Sequence, residues 1–401
     1  MPVSNTHPLT PHIHRWMIEV GRTIPSQSEL IETLGNWLND QGVEVERITT
    51  GTPILHPLLF SYSVLWLLGE KAEERHFILT AEQELNYQNS AVSLIYNGST
   101  TVHRRIPKDA QADDFSIFPM LRETGFTDYM AVPMPFSDGS QKVLTFATKR
   151  SDGFAEKEVA LLSSLGPQLA PLVEILILQQ TARTFLNTYL GKATGERVRA
   201  GAIKRGTYDR IEAIIWFCDL RDFTQLSEQV PADALIELLN QYLECVTDAI
   251  ESEGGEVLKY VGDAVMAIFP LQGLNHESQA KSALRAAATA LTSLETFNRD
   301  RLIVNQPSLR FGIALHKGEV LYGNIGGRDR LDFTVIGPAV NLASRLEALT
   351  KETGRSIHVS EAFVGLCNAE TVARLEDMGL RTLKGISDPQ RVFAVQRDHS
   401  P

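Results

Sequence analysis

Short apolar runs in the second half of the chain predict buried strands around two aspartates. Residues 211–217 are rich in β-branched and aromatic side chains, and this run ends just before Asp219. Residues 256–260 and 264–269 flank Val-Gly-Asp, which predicts a tight hairpin with Asp263 at its tip. If the hairpin pairs beside the first strand, the two carboxylates converge.

Helical and strand patterns alternate through the rest of this half. Apolar stripes predict helices over 231–253 and 278–297, and apolar runs predict strands over 309–315 and 319–324. His316, Lys317 and Gly318 between these strands read as a solvated turn, although His316 could also be a base or a phosphate contact. Helices between antiparallel strands indicate a two-layer α+β domain.

The first half alternates short apolar runs with polar turns. A helix is predicted over 27–38, with Ser26 or Ser28 as its N-cap. Strands are predicted at 130–136 and 142–148 around a Ser-Asp-Gly-Ser hairpin, and residues 115–125 favour a helix. Further strands or short buried pieces are expected at 43–49, 61–69, 75–79, 91–96 and 102–106.

An apolar stripe over 161–190 predicts a helix that continues past its own domain, so we expect it to pair in parallel with a second copy. The basic, glycine-punctuated stretch 181–206 follows as a connector. The predicted organisation is an N-terminal segment (1–25), a first domain (26–180), a linker (181–208) and a second domain (209–397). His7, His12 and His14 among prolines favour a partly ordered segment over a metal or haem site.

Composition narrows the class of protein. A chain of 401 residues with 43% hydrophobic and 22% charged residues is typical of a globular protein of two to three domains. No apolar run reaches the ~18 residues of a membrane span, and no signal-peptide pattern is present. Three distant cysteines favour reduced thiols, so we expect a cytoplasmic protein. A net charge of −11 argues against a nucleic-acid partner.

The aspartate pair favours a metal site. Two carboxylates brought together repel each other, so such a pair usually holds a cation, and oxygen ligands favour Mg²⁺ or Mn²⁺. The alternative is that Asp219 caps the following helix while Asp263 is only a turn residue.

Four motifs in order resemble the catalytic domain of class III nucleotide cyclases, specifically adenylate cyclases. They are Phe-Cys-Asp-Leu-Arg-Asp-Phe-Thr at 217–224, Lys-Tyr-Val-Gly-Asp-Ala at 259–264 with Phe269, Val-Asn-Leu-Ala-Ser-Arg-Leu-Glu at 340–347, and Leu-Lys-Gly-Ile at 383–386. The resemblance covers roughly 210–395 and implies a ferredoxin-like catalytic fold.

The resemblance implies roles for the matching residues. Asp219 and Asp263 would hold two Mg²⁺ or Mn²⁺ ions per site, Asn341 would orient the ribose, and Arg345 would support the α-phosphate. Lys384 would reach the terminal phosphates. A surface ion pair of Arg345 with Glu347 or Glu352 is the competing explanation for that arginine.

Substrate contacts follow from the same motifs. Lys259 would donate to adenine N1, and Thr334 would accept from the N6 amine. The backbone around Phe223 and Thr224 should contact phosphate oxygens, since amides at a strand-to-helix turn are unpaired.

The expected function is conversion of ATP to 3′,5′-cyclic AMP and pyrophosphate by a homodimer whose two sites are each shared between protomers. The alternatives are a pseudocyclase that binds nucleotide without turnover, a cyclase that uses GTP, and a diguanylate cyclase. A diguanylate cyclase lacks support, because the segment Gly254, Gly255 and Glu256 lacks the Asp-Glu-Phe sequence that continues the motif of those enzymes. Thr334 in place of Asp also resembles bicarbonate-responsive cyclases.

Part of the first half resembles a GAF-type sensor domain: Gly-Phe-Thr-Asp-Tyr-Met-Ala-Val-Pro at 125–133, then 143–150, Gly153 and Phe154. The resemblance implies an α/β sensor for a small molecule or another signal. The alternative is a domain that only dimerises.

Overall fold

A computed structural model describes residues 9–53, 61–77, 86–303 and 306–396. The chain divides into two compact units, Met1–Thr184 and Phe185–Pro401. Both combine helices with sheets, and the mixed α+β class of the second unit agrees with the sequence prediction.

The first unit is a six-stranded sheet with helices on both faces. Its helices are α1 (Thr10–Glu19), α2 (Gln27–Asp40), α3 (Ala91–Tyr96), α4 (Phe118–Glu123) and the start of α5 (Glu156–Leu190). Its strands are β1 (Arg47–Pro53), β2 (Ser61–Leu67), β3 (Glu73–Phe77), β4 (Val102–Arg105), β5 (Asp128–Pro135) and β6 (Gln141–Thr148). The order is β3-β2-β1-β6-β5-β4, and neighbouring strands are antiparallel.

Each face of this sheet carries its own apolar core. One face packs against α1, α2 and α5, with Ile13, Leu34 and Leu165 fully buried. The other packs against α3 and α4, with Ile95 and Phe118 buried. Side chains alternate between the two cores along each strand because the strand period is two residues.

Capping and turn signals in this half predict well, and the strands β1 to β4 overlap the short apolar runs at 43–49, 61–69, 75–79 and 102–106. Ser26 caps α2 by accepting the N–H of Glu29 at 3.2 Å, and the hairpin between β5 and β6 is confirmed. The strand prediction at 91–96 is wrong, because these residues form α3, capped by Ser90. Residues 78–79 of the expected strand 75–79 lie outside the described residues.

The N-terminal segment is more ordered than its composition suggests. Residues 10–19 form α1, whose Ile13 and Trp16 are buried in the core against α2. His12 and His14 are exposed on this helix, and His7 lies outside the described residues.

Helix α5 is long and apolar enough, by length and composition, to cross a membrane. Its first half is core of the first unit, where Leu161, Leu165 and Val173 are buried. Its second half leaves Leu178 and Tyr189 exposed. The predicted helix over 161–190 is therefore continuous, with Pro167 and Pro171 inside it.

The second unit is an eight-stranded sheet flanked by helices. Its strands are β7 (Tyr208–Leu220), β8 (Glu256–Val261), β9 (Ala264–Pro270), β10 (Phe311–Gly326), β11 (Leu331–Ile336), β12 (Ile357–Ser360), β13 (Leu375–Arg381) and β14 (Gln390–Val395). Its helices are α6 (Lys192–Arg199), α7 (Phe223–Gln229), α8 (Ala232–Ser252), α9 (His276–Ile303), α10 (Pro338–Thr353), α11 (Glu361–Val364) and α12 (Ala369–Ala373).

The sheet order is β13-β14-β12-β10-β7-β9-β8, with β11 paired to β10. Only β10 and β12 are parallel among these pairs. Helices α8 and α9 cover one face, where Trp216 and Tyr242 are fully buried. Helix α10 lies on the other face, and the side chains of the odd-numbered residues of β7 point towards this face.

The predicted turn at 316–318 is wrong, because β10 is one strand of 16 residues. Gly318 pairs with Ala213 inside the sheet, and a Cβ at this glycine would lie 2.5 Å from the Cβ of Ala339. The glycine therefore permits α10 to approach the strand. His316 is buried, and its Nδ1 lies 2.8 Å from Ser360 Oγ. Burial lowers the pKa of His316 to about 4.

Candidate active site

Asp219 and Asp263 meet where β7 and the β8–β9 hairpin end. Strands β7 and β9 pair as far as Cys218 and Val265, which leaves Asp219 and the tip residue Asp263 beside each other. Gly262 adopts a φ of 66°, as the tight turn requires. Burial, then the charge and hydrogen bond of Asp263, raise the pKa of Asp219 to about 7.

Glu347 is a third carboxylate near this pair, and the sequence analysis assigned it no role there. It lies on α10, is only 7% exposed, and accepts a hydrogen bond from Thr350 at 3.3 Å. Burial and then the negative charge of Asp219 raise the pKa of Glu347 to about 8. The Arg221 guanidinium acts in the opposite direction. A buried acid beside two others indicates a site that concentrates negative charge.

These residues fit a divalent cation that also binds a substrate. Glu347 does not join Asp219 and Asp263 in a three-ligand metal site, because the described residues contain no group of three or more His, Cys, Asp or Glu side chains that could hold a metal. Mg²⁺ is commonly bound by one or two carboxylates together with substrate phosphates. The mutual repulsion of Asp219 and Asp263 is the condition that such an ion would relieve.

Lys259 lies on β8 and Thr334 on β11, two strands that are not paired with each other but come into contact. Lys259 Nζ is 3.1 Å from Asp332 Oδ2, and Asp332 is two residues from Thr334 on the same face of β11. Thr334 is 4% exposed, and its hydroxyl has no hydrogen-bond partner within the described ranges. A buried hydroxyl without a partner is a place where a ligand can form a hydrogen bond. The sequence analysis missed Asp332.

Asn341 and Arg345 project from the exposed side of α10. No ion pair joins Arg345 to Glu347, Glu352 or any other described residue, so the competing explanation of a surface ion pair is wrong. Lys384 is likewise exposed, in the loop after β13. The structure brings none of these three into hydrogen-bond contact with the aspartate pair within the described chain.

The turn between β7 and α7 is held in an unusual backbone conformation. Asp222 has a φ of 61°, and it alone among the described non-glycine residues has a positive φ. Its carboxylate accepts from Lys351 at 2.9 Å and Arg310 at 3.2 Å. Phe223 and Thr224 follow as the first residues of α7, so their amides lie at a helix start.

Helix α6 of the predicted linker is attached to the strand that leads to the hairpin. Thr194 is buried, and its hydroxyl donates to Glu256 Oε1 at 3.0 Å. Tyr322 donates to the same oxygen at 2.5 Å, and the Arg197 guanidinium lies 4.7 Å from the Tyr322 ring centroid. Glu256 opens β8, so the linker contacts the strand that carries Lys259.

Residues 205–396 match the family described as "Adenylate and Guanylate cyclase catalytic domain". This segment contains all nine residues singled out from the motifs. Residues 205–396 form a class III cyclase catalytic domain.

Relatives match over the same part of the chain. The chain is 36% identical over 188 residues to "Adenylate cyclase" of Anabaena cylindrica, covering 45% of this chain and 36% of the relative. It is 29% identical over 221 residues to "Adenylate cyclase 1" of Rhizobium meliloti, covering 53% and 32%. The chain thus spans about a third of the length of these curated relatives. The solved adenylyl cyclase CyaB from P. aeruginosa is 30% identical, with a TM-score of 0.42, covering 47% of this chain and 95% of that one.

Proposed function

We propose that two copies of this chain convert ATP to 3′,5′-cyclic AMP and pyrophosphate. The observation that carries the proposal is the meeting of Asp219 and Asp263 at the strand ends of a cyclase catalytic domain. Relatives named adenylate cyclase in Anabaena cylindrica and Rhizobium meliloti support the choice of reaction.

Asp219 and Asp263 would hold two Mg²⁺ or Mn²⁺ ions. When bound, the ions would lower the pKa of the ribose 3′-hydroxyl and balance the charge of the triphosphate. The 3′-hydroxyl would release its proton to solvent, and its oxygen would bond to the α-phosphorus as the bond to the departing pyrophosphate breaks, so no protein nucleophile is required. Through these ions, Asp219 and Asp263 would hold the triphosphate at the end of β7, near the amides of Phe223 and Thr224.

Lys259 and Thr334 would select adenine. An ammonium group has donors and no acceptor, so Lys259 suits adenine N1 and meets a second donor at the N1–H of guanine. The buried Thr334 hydroxyl gains a partner by accepting from the N6 amine. Lys259 must exchange its contact with Asp332 for the base, which is possible because the lysine side chain is partly exposed and that of Asp332 is exposed.

Asn341 and Arg345 would serve the site of the partner protomer. Both are exposed on α10 of their own chain, where no described carboxylate pairs with Arg345. In a homodimer with two-fold symmetry each site would receive these side chains from the other copy. Asn341 then orients the ribose, Arg345 stabilises the charge that develops on the α-phosphate, and Lys384 contacts the terminal phosphates.

Residues 26–180 would form a GAF-like sensor that controls the cyclase through the linker 181–208. The exposed apolar side chains at the end of α5 suit pairing with the same helix of a second copy. Helix α6 follows α5 directly, and the contact of its Thr194 with Glu256 would transmit a movement of α5 to β8, the strand that bears Lys259.

Product identification tests the proposed reaction. Purified full-length protein is incubated with Mg-ATP or Mn-ATP, and the nucleotides are separated by chromatography. The proposal predicts cyclic AMP and pyrophosphate in equal amounts. Absence of a cyclic product would leave a pseudocyclase, and an equal kcat/KM with GTP would contradict adenine selection.

A further inference from the structure

A cavity of about 510 Å³ opens to solvent between helices α8 and α9 of the second unit. Its volume lies in the range of about 300–1,000 Å³ that is usual for small-molecule sites. Cys245, Ala249 and Phe297 give it an apolar lining, and Ala249 is buried. None of the residues that line this cavity belongs to the cyclase motifs or to the aspartate pair. It is therefore a candidate site that the proposed reaction does not use.

One wall of the cavity carries two negative charges. Glu244 and Asp248 are exposed, line the cavity and lie one turn apart on α8. No described Lys, Arg or His forms an ion pair with either carboxylate, and Arg285 on the facing helix pairs instead with Glu253 at 2.6 Å. Like charges four residues apart on a helix repel each other and destabilise it, so a cationic ligand would stabilise this wall.

The thiol of Cys245 lines the same cavity and is affected by both carboxylates. Burial, and then the charges of Glu244 and Asp248, raise the pKa of this thiol. The two carboxylates therefore act on the interior of the cavity as well as on the solvent outside it. A neutral thiol is neither a strong nucleophile nor a good ligand for a soft metal ion. These conditions favour a positively charged organic ligand over an electrophile or such a metal ion.

The remaining lining offers hydroxyl oxygens. Thr289 and Ser293 lie one turn apart on α9, and Ser252 lies at the end of α8. The Ser252 hydroxyl donates to the carbonyl of Ala249 at 3.1 Å, and its oxygen can still accept a hydrogen bond. Amino groups that donate hydrogen bonds can therefore contact carboxylates on one helix and hydroxyls on the other, across an apolar surface.

We propose that this cavity binds an aliphatic polyamine, with ammonium groups on Glu244 and Asp248 and the methylene chain against Ala249 and Phe297. An ammonium group donates and does not accept, so it suits both carboxylates and hydroxyls. Side chains four residues apart on a helix are about 5–6 Å apart at Cβ, a separation that neighbouring amino groups of a polyamine can span. A bare metal ion would leave the apolar lining without a contact. This binding does not depend on the cyclase reaction proposed above, so either can fail without the other.

Calorimetric titration of the full-length protein with spermidine, without nucleotide or Mg²⁺, tests the proposal. The ionic strength is held constant with NaCl, and 1,4-butanediol serves as an uncharged chain. We expect saturable binding of spermidine and no binding of the diol. Wild-type protein that binds spermidine no better than the diol would overturn the proposal.

Glu244→Gln combined with Asp248→Asn removes both charges at nearly constant shape. Because hydrogen bonds to charged groups are stronger than neutral ones, we expect the affinity for spermidine to fall at least about tenfold. The matched control is Glu251→Gln combined with Glu295→Gln, which removes two exposed carboxylates of the same helices outside the cavity. This control should bind as the wild type. Equal affinity in the two double variants would contradict the assigned site.

Thr289→Phe separates binding in the cavity from attraction to surface charge. The larger side chain fills space in the cavity while both carboxylates remain, so the affinity for spermidine should fall. Thr296→Phe is the control, because Thr296 is exposed on α9 and does not line the cavity. Circular dichroism should show the wild-type helix content in every variant, since all the substituted residues are exposed. Spermidine binding as tight in Thr289→Phe as in Thr296→Phe would overturn the proposal in favour of surface charge alone.

Discussion

Glu347 occupies the space that Gly312 leaves on β10. A Cβ at residue 312 would lie 2.4 Å from Glu347 Oε1 and 2.0 Å from Thr350 Oγ1. Gly312 is directly opposite Asp219 in the pairing of β7 with β10. The helix that carries Asn341 and Arg345 therefore rests on the sheet at the position that holds Asp219.

Gly312→Ala should displace α10 from this position. Neither the Thr350 hydroxyl nor the Glu347 carboxylate can remain where a Cβ would stand, and a displacement near 1 Å in a catalytic site can cost about 10²-fold in rate. We expect kcat to fall by about that factor while the secondary structure, measured by circular dichroism, is unchanged. Gly365→Ala is the control, because a Cβ there makes ordinary contacts at 3.6 Å and the residue has a φ of −60°. Equal kcat in the two variants would show that α10 tolerates the added atom.

The stability of the metal-free protein should fall as pH rises from 5 to 9. The folded pKa of Glu347, about 8, and that of Asp219, about 7, lie above the ordinary values of 4.5 and 3.8. A carboxyl group whose pKa is raised by folding stabilises the folded state fully at pH values below its unfolded pKa. This stabilisation is lost as the pH rises from the unfolded to the folded pKa. Over that range the free energy of unfolding falls by up to about 1.4 kcal/mol per pH unit for each group.

Glu347→Gln removes one of these titrations. Urea unfolding in EDTA at pH 5, 7 and 9 should show a smaller loss of stability for Glu347→Gln than for the wild type. The control is Glu352→Gln on the last turn of the same helix, which should follow the wild type. Parallel pH curves for Glu347→Gln and the wild type would contradict the assigned burial of this charge.

How much of this site follows from the sequence depends on whether the signal is local. The hairpin at 261–263 and the cap at Ser26 could be predicted because turns and helix caps depend on residues that are adjacent in the sequence. The sequence predicted a turn at Gly318, whereas the glycine lets Ala339 of α10 lie close to β10. This contact joins segments that are distant in the sequence, so no local pattern reveals it. The burial of Glu347 depends on which helix face meets the sheet, and a six-residue run such as 91–96 fits a strand or a helix equally well.

Thr334→Val should separate substrate selection from folding. It removes a buried hydroxyl that has no partner in the described structure, so the stability should be unchanged or higher. The kcat/KM for ATP should fall about 10- to 100-fold relative to that for GTP, because the N6 contact is lost. Lys259→Met should reduce the same ratio, and Lys281→Met on α9, whose partner is Glu277, should not. An unchanged ratio in Thr334→Val would contradict its contact with the base.

The proposed control by the first unit is tested by replacing it. Residues 1–160 are removed and a constitutive parallel coiled coil is fused to α5 in successive registers. Each register rotates the helix pair, so cyclase activity should vary between registers by an order of magnitude or more. The same activity as the full-length protein in every register would indicate a module that only holds the dimer together.

In the proposed enzyme, two protomers together build each site that makes cyclic AMP. Asp219→Asn and Arg345→Ala chains, each with a different affinity tag, are co-expressed, and the mixed dimers are isolated by both tags. Each variant alone should be inactive, since every site in its homodimer carries a defect. In the mixed dimer one site carries both defects and the other none, so cyclic AMP formation from Mg-ATP should return to roughly half the wild-type rate. A mixed dimer as inactive as its parents, or wild-type activity in either homodimer, would contradict the shared site.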